Sequence, residues 1–152
     1  LGSALHADGR SHDILCLRAP ASGRNPRLTE EMMAQGLHYP SMNGRKVFKH
    51  AVERLPEVVR EVLGAHGYGL DDLDMLVPHQ ANLRITQMAA RALKLDESRV
   101  FNNIERYGNT TAASIPIALH EAVLEGRVKS GDLVVLAAFG AGLTWAASLI
   151  RW

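Results

Sequence analysis

The sequence predicts a layered α/β domain built on a five-stranded mixed sheet covered by helices. Two observations favour this class. Short apolar runs typical of strands alternate with longer segments whose apolar residues recur at helical spacing, and paired strand-like runs stand at both ends of the chain. With 152 residues, the chain is long enough for a single domain with its own core, which we place over residues 1–152.

The amino-terminal third predicts a hairpin, a loop and a helix. The runs "LGSALHA" and "HDILCLRA" flank "DGRS", and Asp-Gly favours the tight turn of an antiparallel hairpin. Residues 20–43 contain three prolines and two glycines, which indicates a long irregular loop. From Gly44 to Leu63 apolar residues recur at helical spacing, and Pro56 is expected to kink this helix or to begin a second one.

The remaining two thirds alternate strands with helices. "DMLVP" and "RVFNN" predict short strands on either side of the amphipathic helix "NLRITQMAARALK". "NTTAASIPIALHEAVLEG" predicts a helix with an early Pro116 and a stop at Gly126, and its apolar residues on several faces indicate burial on more than one side. "DLVVLAAFG" and "LTWAASLIRW" predict a closing hairpin around "GAG".

Composition and charge exclude several classes of protein. The chain is 47% hydrophobic and 22% charged, as is usual for globular proteins. A net charge of +1 does not favour a nucleic-acid binder. No apolar run reaches the roughly 18 residues of a membrane span, and Cys16 is the sole cysteine. We therefore expect a cytoplasmic protein that binds neither membrane nor nucleic acid.

Three polar or glycine-rich segments follow predicted strands and indicate a site. His79 comes just after one strand, Asn109 comes after another at the start of a helix, and "FGAG" ends a third. Ligands of open α/β sheets bind at the carboxyl ends of strands. Each segment alone is also explained as a polar turn, a helix cap or a glycine turn. Their occurrence at one sheet edge favours a binding or catalytic site.

At these residues the chain resembles the β-ketoacyl-acyl carrier protein synthase III family of thiolase-like condensing enzymes. The matching segments, in family order, are "LHADG", "NGRKVFK", "VPHQANLRI", "YGNTTAASIPIAL" and "GRVKSGDLVVLAAFGAGLTW". The resemblance spans essentially the whole chain and implies the C-terminal half of a duplicated thiolase-like fold. It also implies that the nucleophilic cysteine belongs to an N-terminal half, which this sequence does not include.

The resemblance implies decarboxylative condensation of malonyl-acyl carrier protein with an acyl-CoA primer in fatty acid biosynthesis. His79 and Asn109 match the pair that stabilises the enolate, and both side chains have N–H donors for this purpose. The backbone N–H of Ala141 matches an oxyanion-hole donor. The family usually has glycine at this position, so a positive φ at Ala141 would cost about 1–2 kcal/mol.

Further residues match the family's substrate and carrier contacts. Asn82, Gly44 and Phe139 are implied to bind the substrate and its pantetheine arm, with Phe139 also packing behind the nucleophile. Arg84 and Lys49 match residues that dock the acidic carrier protein, for which a nearly neutral enzyme needs a local basic patch. The implied partners are the N-terminal half, acyl carrier protein, acyl-CoA and a second copy in a homodimer.

Cys16 lies within an apolar strand-like run, so we expect a packed core residue and an inactive isolated chain. Neither a cofactor nor a metal is expected, since His6, Asp8 and His12 are better explained as residues around a solvated turn.

Two related classes differ from this chain at the residues that carry the chemistry. Thiolases carry a second reactive cysteine in this half, whereas no cysteine follows Cys16 here. Elongating condensing enzymes have a second histidine where this chain has Asn109, so the pair of His79 and Asn109 indicates the priming type.

Two alternative functions stay open at this point. The chain could be a non-catalytic half that contributes shape and carrier docking, or a synthase III-like acyltransferase of secondary metabolism. An upstream reading frame with a cysteine at a strand-to-helix turn would favour the enzyme over the non-catalytic half. His79 and Asn109 already favour the enzyme, because a purely structural half needs neither.

Overall fold

The computed structural model describes all residues, 1–152, as six strands and five α-helices. The strands are β1 Gly2–Ala7, β2 Leu15–Leu17, β3 Pro40–Met42, β4 Met75–Pro78, β5 Leu133–Gly140 and β6 Thr144–Arg151. The helices are α1 Glu30–Ala34, α2 Gly44–Gly64, α3 Leu83–Leu93, α4 Ile104–Tyr107 and α5 Ser114–Leu124.

The main sheet is mixed and has the strand order β1-β6-β5-β4. Strand β6 runs antiparallel to both of its neighbours, whereas β4 and β5 are parallel. The run "RVFNN", which was also predicted to be a strand, contributes a single parallel bridge between Val100 and Leu76. The five-strand prediction was therefore wrong by one strand, because the Asn103 N–H binds the side chain of Gln80 and the backbone leaves the sheet.

Helices cover both faces of the main sheet. Alternation along β4 directs Leu76 into a core shared with α2 and α3, and directs Met75 and Val77 into a second core shared with α5. The first core is the larger of the two. The layered α/β prediction is confirmed, and the carboxyl end of β4 lies where the α2–α3 layer meets the start of α5.

The predicted amino-terminal hairpin does not form. The Asp8 side chain accepts the Arg10 backbone N–H at 3.1 Å and caps a 3₁₀ segment, Gly9–Ile14, where the tight turn was expected. Strand β1 then pairs with β6, and β2 pairs with β3 in a separate two-stranded sheet. Capping by Asp8 thus competes successfully with the Asp-Gly hairpin turn.

Residues 20–43 are more regular than the predicted loop. They contain α1, whose cap Thr29 accepts the Met32 backbone N–H at 3.1 Å, and the short strand β3. The threonine cap followed by two glutamates is a helix-start signal that outweighed the surrounding prolines and glycines.

Helix α2 runs unbroken through Pro56, so of the two expected outcomes, a kink or the start of a second helix, the second does not occur. Proline removes one backbone hydrogen bond, but the helix is held by its apolar face. Residues of that face are each at most 5% exposed: Leu55, Val58, Val59, Val62 and Leu63.

Helix α5 buries one face within this chain, and burial of its other sides stays a prediction for the assembled protein. Ser114, Ala118 and Ala122, spaced four apart, are buried, whereas Leu124 is 72% exposed. Its buried face packs on Met75, Val77 and Val134 of the sheet and on Phe101 and Val128. None of the helices combines the length and apolar character needed to cross a bilayer.

Candidate active site

His79 directly follows β4 and is fixed there by its backbone. Its N–H donates to the Ala137 carbonyl of β5 at 2.8 Å. The side chain is half-buried, and this burial lowers the pKa of the imidazole from its ordinary value of 6.5. His79 is therefore neutral at neutral pH, and neither ring nitrogen has a hydrogen-bond partner within the chain.

Asn109 follows α4 and stands just before the 3₁₀ turn Thr111–Ala113 that leads into α5. Gly108, with φ of 65°, lets the chain turn out of α4. The Asn109 Oδ1 accepts the Thr111 N–H at 2.9 Å, so the amide NH₂ is left as a free donor. Thr111 adopts a φ of 54°, an uncommon value for a β-branched residue.

One cavity of about 300 Å³ brings His79 and Asn109 together. Its wall also contains three other residues that the sequence marked for substrate binding: Asn82, Gly44 and Phe139. The rest of the lining is largely apolar and comes mainly from α2, with Ile85 contributed by α3. A mostly apolar cavity with a few polar groups is typical of a small-molecule site.

A second, more open cavity of about 510 Å³ lies on the other side of His79. The two cavities share His79, Phe139 and Gly140, so these residues form the wall between them. Sequence reasoning missed this cavity and the residues of β1, β6 and the start of α5 that line it. Leu5 in its lining is an apolar residue that is 74% exposed on an edge strand.

The match to a family model decides the family. Residues 63–152 match the model described as "3-Oxoacyl-[acyl-carrier-protein (ACP)] synthase III C terminal". The chain belongs to this family. The synthase III resemblance of the sequence and its thiolase-like fold are thereby confirmed.

Individual relatives agree with the family model. The β-ketoacyl-[acyl-carrier-protein] synthase III of Symbiobacterium thermophilum is 50% identical over 153 residues, covering 100% of this chain and 46% of that protein. The corresponding protein of Roseiflexus sp. (strain RS-1) is 47% identical over 152 residues, also with 100% and 46% coverage. The chain thus spans about half the length of the curated relatives it matches.

Solved structures of synthase III proteins share the fold. The Aquifex aeolicus enzyme superimposes with a TM-score of 0.85 at 42% identity, covering 100% of this chain and 44% of that one. The Thermus thermophilus enzyme gives a TM-score of 0.87 at 42% identity, with 99% and 45% coverage.

Ala141, the synthase III position expected to supply an oxyanion-hole N–H, follows β5. Its φ is not positive, and the unusual backbone angle falls on Gly142 with φ of 134°, so the alanine causes no left-handed strain. The Ala141 N–H has no hydrogen-bond partner, whereas its carbonyl accepts the Thr144 hydroxyl at 2.9 Å. Gly140 lines both cavities and Ala141 lines neither.

Arg84 and Lys49 are exposed basic side chains with no ion-pair or hydrogen-bond partner. Arg84 lies in the first turn of α3, two residues after Asn82, which lines the smaller cavity. Lys49 lies in α2, directly after Phe48 of the same cavity wall. Both charges are therefore carried by helices that form this cavity.

Cys16 lies apart from these residues, in β2. It is half-buried and its Sγ contacts the Asp13 carbonyl at 3.6 Å, so the expectation of a core residue was wrong. The reason is that β2 belongs to the small two-stranded sheet and not to the main one. Cys16 lines a shallow cavity of about 370 Å³ that contains neither His79 nor Asn109.

The side chains around the 3₁₀ turn have protein partners of their own. His6 pairs with Glu61 at 2.7 Å, and Asp8 pairs with Arg10 at 2.6 Å. No group of three or more histidine, cysteine, aspartate or glutamate side chains is arranged to hold a metal ion.

Proposed function

We propose that this chain is the C-terminal catalytic half of a decarboxylating condensing enzyme that joins malonyl-acyl carrier protein to an acyl-CoA primer in fatty acid biosynthesis. The observation that carries the proposal is that His79 and Asn109, each with an unused donor, line one cavity. An N-terminal half supplies the nucleophilic cysteine that holds the primer. A non-catalytic half would not require this pair of free donors.

The two side chains act where negative charge develops. When the malonyl thioester loses CO₂, the electrons of the broken C–C bond form an enolate with charge on the thioester oxygen. A neutral His79 imidazole and the Asn109 NH₂ donate hydrogen bonds to that oxygen, and they gain strength as the charge grows. Burial lowers the pKa of His79, so the ring is neutral and has no additional acidic proton to give to the enolate carbon. The enolate carbon is therefore left to react with the acyl group.

The enolate carbon then attacks the acyl thioester on the cysteine of the N-terminal half. The new C–C bond forms as the acyl carbonyl oxygen becomes an oxyanion, which the free Ala141 N–H stabilises. Collapse of this intermediate expels the cysteine thiolate and leaves the β-ketoacyl thioester. No cofactor is needed, because decarboxylation itself supplies the carbanion.

The smaller cavity accommodates the pantetheine arm of the malonyl thioester. The Asn82 Oδ1 is occupied by the Arg84 N–H at 2.9 Å, which leaves its NH₂ for the amide carbonyls of the arm. Gly44 lies in the cavity wall, and the space where a side chain would begin is open, with no atom within 4 Å. We further infer a cytoplasmic homodimer that buries exposed apolar residues such as Leu124 in its assembled form.

The test is an enzyme with both halves present. We define the two-half enzyme as a fusion of the N-terminal half of the Symbiobacterium thermophilum relative with this chain. In the fusion, this chain takes the place of the 46% of the relative that it matches. With acyl-CoA and malonyl-acyl carrier protein, we expect β-ketoacyl-acyl carrier protein by mass spectrometry. A folded fusion that acylates its cysteine but releases neither CO₂ nor ketoacyl product would contradict the proposal.

Carrier docking by Arg84 gives a second expected result. Arg84→Glu in the two-half enzyme should lower kcat/KM with malonyl-acyl carrier protein about tenfold, because a rim charge steers an acidic partner. Reaction with a small malonyl thioester should barely change. The wild-type preference for the carrier should also fade as salt rises, since such charges act over about 8–10 Å.

Arg91→Glu is the matched control for carrier docking. Arg91 is also exposed and unpaired, but it lies in the last turn of α3, away from the cavity-lining end of that helix. It should leave carrier preference unchanged. Equal loss with both malonyl substrates in Arg84→Glu would place Arg84 in the catalytic site or the fold, and not at the docking surface.

A further inference from the structure

Gln80 is a buried amide that joins the His79 turn to a distant segment of the chain. The residue is 1% exposed. Its Nε2 donates to the Pro78 carbonyl at 2.8 Å and to the Phe101 carbonyl at 3.3 Å, while its Oε1 accepts the Asn103 backbone N–H at 3.1 Å. The two amide hydrogens and the amide oxygen are therefore all bonded to backbone groups, one at the end of β4 and two in residues 101–103.

The segment held by Gln80 leads directly to Asn109. The Asn103 carbonyl accepts the Arg106 N–H at 3.0 Å and so starts α4. One turn later the Gly108 N–H donates to the Ile104 carbonyl at 2.8 Å and closes the helix, and Asn109 follows. A single rigid turn thus connects the backbone atom bound by Gln80 to Asn109.

Glu121 on α5 holds the same turn from its other side. Its carboxylate accepts the Asn103 Nδ2 at 2.8 Å and the Tyr107 hydroxyl, and it pairs with Arg106 at 2.8 Å. Three residues of the segment 103–107 are therefore anchored on one side chain. The hydrogen bonds from Tyr107 and Asn103 lower the pKa of Glu121, so the anchor stays ionised at neutral pH.

We propose that Gln80 and Glu121 are positioning residues that set the placement of Asn109 relative to His79. The inference rests on the proposed function, in which both donors must reach one enolate oxygen. His79 is fixed to β5, but Asn109 is exposed on a loop and needs an external reference. Gln80 supplies that reference because it is the next residue after His79.

The main test is Gln80→Met, which keeps the volume of the side chain and removes its three hydrogen bonds. In the two-half enzyme we expect kcat for malonyl decarboxylation to fall roughly ten- to a hundredfold, the cost of a small misplacement of a catalytic group. KM for the malonyl thioester and the rate of cysteine acylation should stay unchanged. Gln87→Met, an exposed change on α3, is the matched control and should alter none of these values.

A second variant and a second measurement keep the test decisive if Gln80→Met folds poorly. Glu121→Ala removes the other anchor from a partly exposed site, and should lower decarboxylation in the same way while sparing acylation. Amide hydrogen exchange of residues 104–112 should accelerate in both variants and not in Gln87→Met. This measurement requires no turnover.

The outcomes separate the two proposals. Equal loss of decarboxylation and acylation, a rise in KM alone, or unchanged exchange of residues 104–112 would overturn the positioning role. A wild-type two-half enzyme that acylates but never decarboxylates would instead defeat the proposed function. In that case the exchange data would still decide whether Gln80 and Glu121 set the Asn109 loop.

Discussion

His79→Ala and Asn109→Ala, each made in the two-half enzyme, should slow malonyl decarboxylation about 10²- to 10³-fold, the usual cost of losing one donor to a developing oxyanion. Each side chain has one role that the structure supports. His79 has a neutral ring with unbonded nitrogens, and Asn109 has an unbonded NH₂ in the same cavity. The enolate would lose one of its two donors in either variant.

Acylation should survive both changes, because it takes place on the cysteine of the N-terminal half. The two steps are measured separately, by release of CO₂ from malonyl thioester and by intact mass after incubation with acyl-CoA. His12→Ala is a suitable control, since His12 is exposed and lies outside both cavities that His79 lines. Variants that decarboxylate normally but fail to acylate would show that the roles assigned to His79 and Asn109 are wrong.

The double variant adds information on how the pair works. If His79 and Asn109 bind the same oxygen, removing both should cost less than the product of the two single effects, because groups that act as a unit are not additive. Independent multiplication of the two losses would indicate that each residue stabilises a different atom.

The main elements of the site were predictable because they follow from strand ends. "DMLVP" and "DLVVLAAFG" are apolar runs long enough to mark buried strands, and residues after such strands meet at one edge of the sheet. That rule placed His79 and the glycine turn correctly. Asn109 reaches the same cavity by another route, through α4 and not directly from a strand, because "RVFNN" makes only one bridge.

Three of the misses in secondary structure share a physical cause, which is local side-chain hydrogen bonding. Asp8 caps a 3₁₀ turn where its sequence predicts a hairpin, and Thr29 starts a helix within a predicted loop. Gln80 terminates a predicted strand by taking the Asn103 N–H. None of these partners can be chosen from periodicity, because each depends on which backbone groups the fold leaves unpaired.

The second cavity could not be predicted from the sequence, for a different reason. It is lined by side chains from separate regions of the chain, including Leu5, Thr111 and Trp145, and Leu5 and Trp145 come together through the pairing of β1 with β6. A pattern within one element cannot report such a juxtaposition. Its exposed apolar lining is a surface that the proposed N-terminal half would cover.

The isolated 152-residue chain should remain unacylated after incubation with acetyl-CoA, as judged by its intact mass, whereas the two-half enzyme should gain one acetyl group. Cys16 is the sole cysteine of the chain. A catalytic thiol needs a base or a strong positive field beside it. The histidine of its shallow cavity, His12, has Nδ1 against the Gly9 carbonyl at 3.2 Å, and the Cys16 Sγ contacts the Asp13 carbonyl.

The position of Cys16 argues more strongly than its reactivity that this cysteine is not the nucleophile. Even an acylated Cys16 would hold its acyl group in β2, outside the cavity where His79 and Asn109 generate the enolate, so no C–C bond could form between the two. Cys16→Ser should accordingly leave the two-half enzyme fully active, which tests the point in the assembled protein. A stable thioester on Cys16 of the isolated chain, together with loss of condensation in Cys16→Ser, would make Cys16 the nucleophile and remove the need for a cysteine from the other half.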